Sequence, residues 1–81
     1  MSVSLTPIND LEGDSLMDCG NVTWSVLTEA AGIPWNGTHD PQTYTPEQLR
    51  AIAKAIPATL AKYNWHEPLE ALAQAGGAEL S

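Results

Sequence analysis

The chain has no phenylalanine, one cysteine, three basic residues and no long apolar run in its 81 positions, and each shortage removes a class of protein. A single cysteine forms no internal disulfide, so a stapled secreted scaffold is excluded and a packed core or a partner must hold the fold. Asp, Glu, Asn, Gly or Pro interrupts every apolar segment before the ~18–20 residues that a membrane-crossing helix needs. With ten acidic residues against three basic ones the net charge is -7 and the pI is about 4.3, which argues against direct nucleic-acid binding through a basic patch. The length allows one small domain, 1–81, and excludes doubly wound sheets, TIM barrels and two-lobed enzymes. Met1 to Asn9 contain neither Lys nor Arg and no apolar run, so they match no secretory or transit signal and a cytoplasmic location is expected. The sequons at Asn21 and Asn36 carry little weight without such a signal.

Charge is unevenly placed. Seven acids (Asp10, Glu12, Asp14, Asp18, Glu29, Asp40, Glu47) and no base precede Arg50, whereas Arg50, Lys54 and Lys62 balance Glu67, Glu70 and Glu79 in the remainder. All of the excess therefore lies in residues 1–49 and is densest from Asp10 to Asp18, a pattern that fits a charged contact surface and that solvation alone also explains.

The patterning predicts a mainly α protein: a bundle of three to four short helices over 21–81, with residues 1–20 an irregular acidic segment, either a short β-hairpin or an extended arm. Asn21 is read as an N-cap for a helix from Val22 to Ala31, with Trp24, Leu27 and Ala31 on the apolar face, Thr28 on the polar one, and Gly32 and Pro34 as its stop. Pro34 to Tyr44 reads as a loop. Thr45, Pro46 and Gln48 form a capping box for a second helix whose apolar face is Leu49, Ile52, Ala53 and Ile56, and Pro57 either kinks it or separates it from a third segment carrying Leu60 and Tyr63. A last helix is expected from Pro68 to the Gly76-Gly77 stop, with Ala78 to Ser81 frayed. In the first segment Val3 and Leu5 alternate with polar residues, Ser15 to Met17 is a second extended run, and Val3, Leu5, Ile8, Leu11 and Leu16 are expected to be buried.

The chemistry-bearing residues form no catalytic pattern. Asp10, Glu12 and Asp14 fail the EF-hand calcium pattern, because Gly13 falls between the second and third acids and Asn21 stands where a bidentate Glu is needed. Cys19, His39 and His66 lack zinc-ligand spacing, and Asp18 beside Cys19 opposes a thiolate. No enzyme, metal or cofactor is expected. Trp35 in its loop and Trp65 beside Tyr63 are read either as plugs folded onto the core or as interface anchors. Since Trp and Tyr are enriched at binding hot spots, Trp35, Tyr44, Tyr63 and Trp65 are the candidate aromatic anchors if their loops share one end of the molecule, and Asp10, Glu12, Asp14 and Asp18 the candidate charged contacts. In size and acidity alone the chain is similar to small phage or mobile-element inhibitors and to immunity-like proteins, which block a basic or nucleic-acid-binding surface. The expected function is a small acidic interaction protein that occupies the basic surface of a partner protein; the alternative is a self-associating assembly module, such as a homodimer, without catalytic activity.

Overall fold

A computed structural model describes all 81 residues, and the sheet is its first correction to the sequence reading. The protein is mixed α/β, with a four-stranded antiparallel sheet and not a helical bundle. The elements run β1 (Ser2–Pro7), β2 (Met17–Gly20), α1 (Asn21–Ala30), β3 (Gln42–Tyr44), α2 (Pro46–Lys54), a 3-10 segment (Ala58–Tyr63), α3 (His66–Gln74) and β4 (Ala78–Leu80). The sheet order is β2-β1-β4-β3, so the last three-residue strand lies inside the sheet.

Alternation explains the layers. Val3, Leu5, Met17, Cys19, Tyr44, Ala78 and Leu80 point to one side and are buried with Trp24 and Leu27 of α1, Leu49 and Ile52 of α2, and Leu69, Leu72 and Ala73 of α3. Their intervening neighbours point the other way. Register sets Ser4 opposite Asp18, and Thr6 and Thr43 on either side of Glu79, so the second face of the sheet is polar and carries no helix.

The residues expected to fray are instead central. Ala78 and Leu80 are fully buried, and β4 pairs with both β1 and β3. Its position follows from Gly76 and Gly77. The Gly76 N–H donates to the Ala73 carbonyl and the Gly77 N–H to the Leu72 carbonyl, both at 3.1 Å, which is a Schellman closure of α3. Both glycines have positive φ, 93° and 122°, and a Cβ at Gly77 would stand 2.6 Å from the Tyr44 carbonyl oxygen. Only glycine fits there.

The helix ends follow local chemistry with one exception. The Thr45–Gln48 capping box forms with both reciprocal bonds, and Gly32 (φ 73°) closes α1 through the same Schellman pair of bonds, Gly32 to Glu29 and Ile33 to Thr28. Asn21, however, is the first residue of α1 and not its cap; the cap is Gly20, and no side chain caps the helix. Pro57 separates rather than kinks, with α2 ending at Lys54 and the 3-10 segment starting at Ala58. α3 begins at His66, two residues before Pro68, which still lies in the first turn where its missing N–H is harmless.

Three further expectations are corrected. Thr28 is fully buried, because its hydroxyl donates to the Trp24 carbonyl at 2.9 Å and accepts the Trp35 N–H at 3.2 Å. Leu11 and Leu16 are about half exposed in the β1–β2 loop. The end of the expected 34–44 loop, Gln42–Tyr44, is strand β3.

Two substitutions test the role of β4. Gly77→Ala combines left-handed strain with a backbone clash and should cost about 2–4 kcal/mol. Leu80→Ala removes a fully buried side chain and should cost about 2–5 kcal/mol. Denaturant midpoints check both, and values near wild type would show that β4 is dispensable.

Candidate functional site

The densest chemistry on the surface is a set of carboxylates at one end of the sheet. The β1–β2 loop is a pair of consecutive turns, with the Asp10 N–H bonded to the Pro7 carbonyl at 3.0 Å and the Gly13 N–H to the Asp10 carbonyl at 3.1 Å. The Asp10 carboxylate folds over Gly13 into space that a Cβ would occupy. Asp10, Glu12 and Asp14 are exposed along this loop, and no group of three His, Cys, Asp or Glu side chains is placed to hold a metal ion.

Asp18 follows on β2 and is held rigidly. Its Oδ1 accepts the Ser4 hydroxyl at 2.6 Å across the strand pair and the Ser15 hydroxyl at 3.1 Å, while its Oδ2 takes the Ser15 hydroxyl at 2.9 Å. Both serine partners fix the carboxylate without neutralising it. Glu79 adds a fifth carboxylate on the same open face, opposite Thr6 at the loop end of β1. None of these five groups is in an ion pair, since the one salt bridge of the chain is Arg50–Glu70 at 3.0 Å between α2 and α3.

The four acids singled out from sequence therefore sit on one loop and its adjoining strand. The four aromatic anchors do not share a surface. Tyr44 is 4% exposed, its hydroxyl accepts the Trp24 indole N–H at 3.4 Å, and the two rings meet edge to face at 5.3 Å. Trp35 packs half-buried on the core, donates its indole N–H to the Thr38 carbonyl at 3.0 Å and lies edge-on to His39. Asn36 organises the loop around it by accepting from the Thr38 N–H, the Thr38 hydroxyl and Gln42. Trp65 also packs half-buried against the core beside Tyr63, and of the four only Tyr63, at 55%, is exposed.

Sequence reasoning missed Glu79 and the two serines that hold Asp18. Glu79 carried no usable signal of its own, because the three residues Ala78–Leu80 are too few to mark a strand after Gly76-Gly77. Nothing local pairs Ser4 with Asp18, because their contact exists only through strand register.

Cys19 follows Asp18 on β2 and points to the other, buried side of the sheet, opposite Val3 in register. It is buried, and its thiol is pushed from 9.0 up to about 11, first by burial and then by the charge of Asp18. Neither histidine hydrogen-bonds to it, so no thiol–imidazole pair is assembled. Burial also raises the Tyr44 phenol, against a smaller lowering by the bond from Trp24.

A raised folded-state value means that the folded protein retains the thiol proton where the unfolded chain has released it. The thiol's contribution to stability is fully present below the unfolded value of 9.0 and is lost as pH rises from 9.0 towards about 11. Cys19→Ala should flatten that window, leaving only the loss that Tyr44 adds above its ordinary value. Urea unfolding at a series of alkaline pH values measures this, and an unchanged slope in Cys19→Ala would place the thiol outside the linkage. No protein-family model, curated protein or solved structure matches the chain.

Proposed function

We propose that the protein is a small acidic interaction protein whose β1–β2 loop and open sheet face dock on the cationic surface of a partner protein, in the manner of an inhibitor that occupies a basic binding surface. The observation that carries this reading is the placement of Asp18 and Glu79 on the sheet face that no helix covers, next to the exposed Asp10, Glu12 and Asp14 of the adjoining β1–β2 loop, all five outside any ion pair. Unpaired carboxylates of one sign on a single face add their fields. Such a face speeds encounter with a cationic surface and rejects an anionic one.

Asp18 is the anchor of this arrangement. Its two serine donors hold the charge in one position, so it enters an interface with little side-chain entropy left to lose. The loop acids are exposed and contribute mainly to long-range attraction. The acids also guard β2, an edge strand with unpaired backbone groups, against pairing with other edges.

The test starts from the protein that co-purifies with this chain in its native cell. Replacing Asp10, Glu12, Asp14 and Asp18 by their amides should weaken that complex by about tenfold or more and flatten its dependence on salt. Thermal unfolding of the same variant controls for folding. Unchanged affinity with an unchanged salt slope would overturn the reading.

A further inference from the structure

The chain has only three basic side chains, and two of them line one cleft. This cleft, about 270 Å³, lies between α2 and α3 and is bounded by Arg50, Ala53, Lys54, His66 and Glu70. Its volume falls just below the ~300–1,000 Å³ of ordinary small-molecule sites, so it suits a compact ligand. Arg50, Lys54 and Glu70 give its lining a formal charge of +1, while the rest of the chain carries -8, from a total of -7.

The distribution of donors narrows the chemistry. The Arg50 fork is already used: Nη2 donates to Glu70 Oε2 at 3.0 Å and Nε to Glu70 Oε1 at 3.3 Å. That pair holds Glu70 below the usual carboxylate range and fixes the two helices against each other. The planar, two-toothed donor best matched to a carboxylate is therefore occupied. What remains is the Lys54 ammonium, which has no carboxylate within ion-pair distance, and the His66 imidazole, which makes no hydrogen bond to the protein. These are point donors from two different helices. They can converge on a tetrahedral group, whose oxygens spread in several directions, more readily than on a flat one. Ala53 leaves a small apolar wall beside them.

We infer that the α2–α3 cleft is a binding site for a small phosphate monoester, with Lys54 and His66 holding the phosphoryl oxygens and Ala53 against the organic body. The Arg50–Glu70 pair ties together the two helices that carry these donors. The site lies on the helical layer and does not depend on the acidic face.

The probe is phenyl phosphate, titrated into the isotope-labelled full-length chain at low salt and followed by NMR. Saturable shifts confined to residues of α2 and α3 are expected, with phenol producing none. Lys54→Met and His66→Gln should each weaken binding by about tenfold. Lys62→Met, which removes the one basic side chain among Lys and Arg outside the cleft, should leave binding unchanged. A capped phosphoserine peptide separates the two sources of such a group: tighter binding than phenyl phosphate assigns the site to a phosphorylated partner, and equal binding to a small metabolite, the cleft being the site in both. Absence of saturation below about 10 mM, or equal weakening by Lys62→Met and Lys54→Met, would overturn the proposal. Thermal unfolding of each variant separates lost binding from lost folding.

Discussion

The fold depends on the insertion of three residues, Ala78–Leu80, between strands that otherwise share no hydrogen bond. Without β4 the β1–β2 hairpin and the short β3 would be separate pieces, and a two-stranded hairpin alone is marginal. With β4 in place, a chain that begins and ends at the surface closes on itself through its last strand. The double glycine makes this insertion geometrically available. It ends α3, reverses the chain through two positive-φ residues and lets backbone run against the Tyr44 carbonyl, where any Cβ would collide.

That insertion also organises the charge. Once Ala78 and Leu80 are committed to the buried side, Glu79 must project from the opposite one, and the same rule sends Asp18 outward between Met17 and Cys19. Burial of the apolar set and display of the acids are thus one consequence of strand periodicity. The core beneath is built around Trp24, with Tyr44 supplying both an edge-to-face ring and the acceptor for its indole N–H. In a chain without phenylalanine, these two aromatics cannot serve the core and a partner at once. This is why Tyr44 is absent from the surface.

Legibility from sequence followed the range of the interactions. The capping box at Thr45, the Gly32 stop and the separation at Pro57 depend on residues within a turn of one another, and the apolar faces of α1 and α2 follow from a period of 3.6. The acidic end of the chain was readable by counting. β3 and β4 were not, since three residues are too few to establish an alternation, and a terminus after Gly-Gly ordinarily frays. Thr28 misled for a related reason: its polarity suggested solvent, but its hydroxyl is used internally, by the Trp24 carbonyl and the Trp35 N–H. Leu11 and Leu16 misled in the opposite sense, because two consecutive turns leave the loop nothing to pack on. The α2–α3 cleft joins Arg50 and Lys54 to His66 and Glu70, which a helix-by-helix reading leaves as two solvated stripes.

The helical layer and the open sheet face are on opposite sides of the molecule, and this decides whether their charges influence each other. The principal extents are 32, 24 and 20 Å, whereas the Debye length at physiological ionic strength is about 8 Å. Along a path through solvent, exposed charges further apart than that length are largely screened from one another. A small positive site can persist in a chain of net charge -7 for that reason. An anion entering the cleft would meet the local lining and not the molecular total, and a cationic partner on the sheet face would meet the carboxylates alone.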